Sequence, residues 1–322
     1  EEDFAAWKEY AYHAQIHGAI LAYLEIKKKN FYSIVSDVDG KRFVTARGWE
    51  DLSVVMKVYE QQGLPINYDF VVQYLQDPEI ARDFAVYYEL YQKYNQIYRI
   101  PELLEGEFPE DVLAIQNAPF DEKLSLIGLL LDALSQEFVT YARWENVQKE
   151  FLAQLGYLRI DLKEGKGSAK ELLERQSESH ETMTAHRKKA NLLSREELRT
   201  AHDLQKAFDA CVRLVTEAGS GDARSDFGLV KQYFDEQENL RQTQIADTGR
   251  HLSNAFDFLS RVFGEGQELV IFLSELSAGY YSLKFVSECG NEDYYKYNRL
   301  LLLKDRGEEL TQEVMQILAL DD

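Results

Sequence analysis

Proline and cysteine are scarce in this chain, with five and two in 322 residues. With glycine at only 18 positions as well, collagen-like repeats and Pro/Gly-rich disordered tracts are excluded. The two cysteines, Cys211 and Cys289, fall on separate helical patterns. They are expected to be small packed residues rather than a disulfide, which fits a reducing compartment. No apolar run approaches the ~18 residues of a membrane span, and no signal peptide opens the chain. The expectation is a cytoplasmic protein. Positive charge is the other shortage: 36 Lys and Arg face 56 Asp and Glu, for a net charge of −20. The acidity is spread evenly, 15 cations against 26 anions over residues 1–160 and 21 against 30 over 161–322. A field of that sign repels nucleic acid and anionic membrane, so neither is expected as a partner. The one basic run, Lys27-Lys28-Lys29, closes a predicted helix and complements its dipole.

Several kinds of chemistry are missing too. A P-loop needs G-x-x-x-x-G-K-[ST] so that backbone N–H groups can cradle phosphates. The nearest string, Glu164-Gly165-Lys166-Gly167-Ser168, fails twice: Ile160 stands where the first Gly belongs, and Gly167 where a hydroxyl should follow the Lys. No apolar run ends in Asp-Glu, and no nucleophile elbow occurs. Asp37-Val38-Asp39-Gly40 begins like a calcium loop but lacks the later ligands, including the Glu that should follow the Gly by six positions. His13 and His17 are four apart, with Glu9 one turn earlier, which is the spacing of zinc ligands on one helix face. A metalloprotease would need Glu where Ala14 stands, so a packing role competes with the ligand role. His180 and His186, six apart, share no face.

What is present is helical periodicity. Asp3 can cap a helix with apolar residues at Phe4, Trp7, Ala11, Ala14, Gly18 and Leu21 and a second stripe at Ile16, Ile20, Tyr23 and Leu24, ending near Lys29-Asn30. Residues 31–35 and 42–45 flank an Asp-Gly turn and predict a short hairpin. A helix over about 46–62 follows, with Leu52, Val55, Met56 and Tyr59 inward and Gly63 as its stop. Asn67 and Asp77-Pro78 open two more, the second carrying Phe84, Tyr87, Tyr91, Tyr94 and Tyr98 as a core stripe with hydroxyls at its rim. Pro101, Gly106, Pro109 and Pro119 mark a domain boundary. Beyond it the pattern predicts long helices: one from Leu124 stopped by Gly156, two opened by the capping boxes Ser168/Glu171 and Ser194/Glu197, and one through Phe227–Phe263 with Gly249 as a candidate interruption. A last pair is expected over 269–288 and 292–318, with Gly290 at the break. Residues 169–206 are highly charged and poor in large apolar groups, as a projecting helical arm would be.

The most informative segment is Val44-Thr45-Ala46-Arg47-Gly48-Trp49-Glu50-Asp51-Leu52-Ser53. It puts an arginine in the first turn of a helix, where partial positive charge and exposed N–H donors favour anions instead. Either Glu50 and Asp51 offset Arg47 locally, or an anion such as phosphate is shared between the guanidinium and the helix end. Thr45-Ala46-Arg47-Gly48 resembles the small-residue turn that opens the sensor-2 helix in the lid of MoxR-like AAA+ ATPases. It departs from that pattern in lacking a Pro before the Arg and in having Gly48 after it. The resemblance covers residues 4–105, including Trp7, Ile20-Leu21-Ala22-Tyr23-Leu24 and Gln73–Ala81.

The resemblance implies an AAA+ lid-like helical bundle with one short β-hairpin over residues 1–106; the periodicity and composition beyond it predict an all-α chain, with a long-helix C-terminal domain over 107–322 and an antiparallel coiled-coil arm at about 169–263. The resemblance also implies that the chain is the C-terminal portion of a longer ATPase whose nucleotide-binding core lies elsewhere. In that protein Arg47 would contact the phosphates of ATP, Mg2+ would be held outside this segment, and His13 and His17 could meet the nucleotide. The family forms ring oligomers that remodel or activate partner proteins, often ones with von Willebrand factor A domains. The segment alone is expected to be inactive and to need no cofactor. From the residues alone, a free-standing helical interaction scaffold without nucleotide is the alternative.

Overall fold

The computed structural model describes residues 4–37, 40–108 and 115–301. It is mostly helical, with a single two-stranded antiparallel sheet among the described residues. Its contacts define two units, one of residues 1–137 and 248–322 and one of residues 138–247. The Pro/Gly-rich stretch at 101–119 therefore lies inside the first unit.

In the first unit, α1 (Phe4–His13) is followed by α2 (Gly18–Ile26). This corrects the single helix expected from Asp3 to Lys29; Asp3 itself lies outside the described residues. Gln15 adopts φ +53°, and the His17 ring caps the second helix, its Nδ1 accepting from the Ala19 N–H at 3.1 Å. A left-handed residue followed by a cap ends one helix and starts another. The apolar pattern is blind to the break because buried side chains continue on both sides of it. A 3-10 turn (Lys28–Asn30) leads to β1 (Ser33–Asp37) and β2 (Gly40–Val44), with Ile34 opposite Phe43 and Asp37 opposite Gly40. The hairpin is present as predicted; Val38 and Asp39 of its turn lie outside the described residues.

α3 (Ala46–Gln61) starts on Thr45, whose hydroxyl accepts from the Gly48 N–H at 3.2 Å, and ends before Gly63 at φ +63°. α4 (Tyr68–Val71) and α5 (Pro78–Tyr98) are capped by Asn67 and Asp77. A short α6 (Ile100–Leu104) follows. The centre of this unit is aromatic. Tyr23, Trp49 and Phe84 are fully buried, with ring centroids 5.2–5.8 Å apart. The Trp49 indole donates to the Phe31 carbonyl at 3.1 Å. Burying a ring of this size contributes ~1.5–3 kcal/mol before packing effects. On α5 the buried ring set is Phe84, Tyr88, Tyr91 and Tyr98, so Tyr88 joins the expected stripe while Tyr87 and Tyr94 are only partly covered.

α7 (Phe120–Lys163) and α10 (Ala223–Phe263) contribute residues to both units. Two expectations are corrected on α7. It runs through Gly156, because the ~1 kcal/mol cost of a helical glycine is outweighed by burial of Phe151, Leu155 and Leu158 around it. It also holds a window long and apolar enough, by composition alone, to cross a membrane; half of that window is buried within the protein. α10 likewise passes Gly249 without a break. The first unit closes with α11 (Gln267–Ala278), α12 (Tyr280–Cys289) and a helix α13 described over 292–301. The expected helix over 269–288 is thus two, bent by 88° at Gly279. There the Ser282 hydroxyl donates to the carbonyls of Leu276 and Gly279 at 2.5 and 2.8 Å, which occupies acceptors that a straight helix would use.

The second unit is helical among its described residues. α8 (Ala169–Lys189) and α9 (Arg195–Ala218) open on the two predicted capping boxes, both complete. Its core joins Phe151, Leu155 and Leu158 of α7 to Leu172 and Leu173 of α8, Leu204, Phe208, Cys211 and Val215 of α9, and Val230 of α10. The turn before α10 is held by Asp226, whose carboxylate accepts from the Ser220 and Gly221 N–H groups at 2.7 and 3.2 Å.

Candidate functional site

Arg47 sits in the first turn of α3 with its side chain 77 % exposed. Its Nε donates to Asp51 Oδ2 at 3.0 Å, one turn along the same helix. The neighbouring Glu50 turns instead toward α1, accepting from the Trp7 indole at 3.4 Å and the Tyr10 hydroxyl at 3.5 Å. Of the two carboxylates weighed as local partners, Asp51 alone is seen to pair with the guanidinium. An exposed pair of this kind is worth ~0–1 kcal/mol. It leaves the guanidinium able to exchange Asp51 for an external anion at little cost. Gly48, the residue that departs from the lid pattern, has a packing reason. A Cβ there would stand 2.8 Å from the Tyr74 carbonyl oxygen, so the first turn of α3 approaches the 73–76 segment through a glycine. That segment also meets the hairpin, the Phe43 N–H donating to the Gln76 carbonyl at 3.3 Å.

The two histidines are not brought together on one helix, because α1 ends at His13 and His17 precedes α2. The zinc-face spacing is therefore corrected, and the His13 side chain lies outside the described ones. Among the described residues no group of three or more His, Cys, Asp or Glu is placed to hold a metal. His17 instead belongs to a polar cluster that spacing did not reveal. With Nδ1 accepting from Ala19, Nε2 carries the proton and donates to Glu60 Oε1 at 2.9 Å. Tyr88 and the Gln92 amide donate to the same oxygen at 2.6 and 2.9 Å. Burial pushes the Glu60 carboxyl up, but the hydrogen bonds from His17, Tyr88 and Gln92 outweigh it, so it is held below its ordinary value. Burial, together with Glu60, drives the Tyr88 hydroxyl far above its own. Glu60 falls on what reads as the polar face of α3, and nothing in the sequence links it to residues 17 and 88.

A cleft of about 680 Å³ lies in the second unit between α7, α8 and α9. Arg175, His180 and Arg187 line it from α8, with Leu204 and Phe208 of α9 at its floor. His180 Nδ1 is 2.9 Å from Gln205 Oε1, and its ring packs on Phe208 with centroids 5.7 Å apart. Nearby Cys211 is buried, which pushes its thiol up to about 12 and makes it a packing residue rather than a nucleophile.

Comparison with protein-family models, curated proteins and solved structures finds no match for this chain.

Proposed function

We propose that the chain is the lid and C-terminal helical region of a MoxR-like AAA+ ATPase, with Arg47 meeting the phosphates of ATP. The observation that carries this reading is the exposed guanidinium in the first turn of the Thr45-capped α3, seen to pair with Asp51 alone among the described residues. A bound phosphate there would gain both the arginine and the positive end of the helix. The P-loop, Mg2+ ligands and attacking water would come from outside residues 1–322, because no P-loop string occurs within them. The full-length protein would work as a cytoplasmic ring that remodels or activates a partner, a von Willebrand factor A domain protein being the kind expected. Residues 169–263 would carry a partner or ring contact. The test is Arg47→Ala in the full-length protein. ATP turnover should fall while the fold is kept; unchanged turnover removes Arg47 from the site.

A second reading is a helical interaction scaffold without nucleotide. It is favoured by the Arg47–Asp51 pair, which satisfies the arginine within its own helix. The coding sequence upstream of residue 1 separates the two: a P-loop there supports the ATPase, and its absence supports the scaffold.

A further inference from the structure

In the second unit α7 turns Phe151, Leu155 and Leu158 into the core. Its outer face should be polar if it met only water. Instead Leu152, Tyr157 and Ile160 stand there 56, 61 and 51 % exposed, beside exposed Ala153 and Gly156. A glycine inside a helix costs ~1 kcal/mol against alanine, and a Cβ at Gly156 would meet nothing within 4 Å. No contact within the chain requires that glycine. Contiguous exposed apolar surface of this kind marks an interaction site.

The charges on this stretch are balanced and ordered. Residues 149–164 hold three cations, Lys149, Arg159 and Lys163, and three anions, Glu150, Asp161 and Glu164, in a chain of net charge −20. A second copy of the stretch is therefore not repelled locally. Repulsion between the remaining charges of two chains is screened beyond about 8 Å at physiological salt. Reversed end to end about a point between Gly156 and Tyr157, the stretch complements itself. Tyr157 comes level with Gly156 of the other copy and Ile160 with Ala153, so each large side chain is level with a small one. Lys149 comes level with Glu164, and Glu150 with Lys163. Leu152 comes level with Asp161, which is turned toward Lys166 and Arg175 of its own chain. Among the described residues Lys149, Glu150 and Lys163 have no ion-pair partner, and Glu164 pairs with Lys166 at 2.7 Å.

We propose that this face of α7 joins two copies of the chain as an antiparallel helix pair, with its twofold axis between Gly156 and Tyr157. A twofold interface needs one surface that complements itself, and this one does so in side-chain size and in charge. A foreign helix would need no such self-complementarity. Ala153 and Gly156 let the two helix axes approach, while Tyr157 and Ile160 fill the space beside them. The charges set the direction, because a parallel pairing in register would place each of them against its like. The stretch is about 24 Å long at ~1.5 Å per residue. One such face covers less than the about 800 Å² per partner of a standard interface, so the dimer is weak, half-associated on the order of 100 µM. A twofold contact closes on itself, so this surface differs from the one that would build the proposed ring.

The test is sedimentation velocity of the full chain in about 0.15 M salt, over about 5 to 500 µM. The mean mass should rise with concentration from 37.3 kDa toward twice that value. Gly156→Leu should weaken association at least about tenfold, because the added side chain occupies the closest approach. Lys149→Glu and Glu164→Lys each bring like charges level on both sides of the twofold axis, and each should weaken association about tenfold. Lys149→Glu/Glu164→Lys restores opposite charges and should return to within about threefold of the parent. Arg224→Glu, outside the face, should associate as the parent does. All of these positions are exposed, so circular dichroism of the variants should match the parent; the charge reversals carry the comparison if Gly156→Leu misfolds. A monomer at every concentration overturns the proposal. So does a dimer that Gly156→Leu and the single reversals leave unchanged, which would place the contact on another surface. Single reversals that weaken association without recovery in the double variant overturn the antiparallel pairing.

Discussion

The two units are held together by different physics. The first buries rings and connects them with long-range polar contacts: Trp49 to the Phe31 carbonyl, His17 and Tyr88 to Glu60, and Lys8 to both Glu25 and Glu275. Lys123 and Glu268 pair at 3.0 Å while both are largely covered. The second builds its core from a repeated apolar stripe on four helices. Many of its charges pair locally on exposed surface, as in Arg199–Glu196 and Lys206–Asp203, three residues apart. Arg241, which bridges Glu145 and Glu238 from a largely covered position, is an exception. Long-range polar contacts specify one arrangement of segments and tolerate little change. Stripes and caps specify helices and tolerate much more.

That contrast can be broken by substitution. The largest effect is expected at Trp49. Trp49→Ala should cost about 3–5 kcal/mol in denaturant unfolding and leave the Phe31 carbonyl without its donor. Phe208→Ala, its counterpart in the second unit, removes only packing. Equal losses would show that the polar link in the first unit contributes nothing. Next come the glycines. Gly48→Ala must push against the Tyr74 carbonyl and should destabilise by about 1–3 kcal/mol. Gly156→Ala meets nothing within 4 Å and should stabilise α7 by about 0.5–1 kcal/mol. If both shift thermal unfolding in the same direction, the close approach at Gly48 is not a constraint.

Acid should act selectively through the Glu60 cluster. Its folded value lies below the ordinary 4.5, so its contribution is complete above that value and is lost as pH falls through the folded one. Glu60→Gln should flatten the acid limb of stability below about pH 4.5, read by urea unfolding at stepped pH. An unchanged limb would assign acid sensitivity elsewhere. Hydrogen exchange compares the second unit with its neighbour: residues 169–206 should exchange faster than 124–155, because their outer faces are thinly covered. Equal protection would rule out a weakly held partner arm. The smallest effect is Arg47→Ala, expected to change the stability of this chain by under ~1 kcal/mol because the Asp51 contact is exposed.

The sequence by itself determined whatever depends on neighbours within a few positions. The hairpin around Gly40, the Asn67 and Asp77 caps, both capping boxes and the Gly63 stop all follow from side chains acting on their own backbone. The prominence of Arg47 belongs to the same class, since its oddity is its position in a single helix. Tertiary structure decided the rest. Gly156 continues a helix because its neighbours are buried, whereas the helix bends at Gly279, where the Ser282 hydroxyl takes up nearby carbonyls. The break at 14–17 required His17 to cap a helix while reaching Glu60, 43 positions away. The cleft of the second unit forms where Asn146–Gln154, Arg175–Arg187 and Glu197–Phe208 come together. Periodicity reports which face of a helix is apolar; which side chains meet across segments is set by packing, and packing has no local signature.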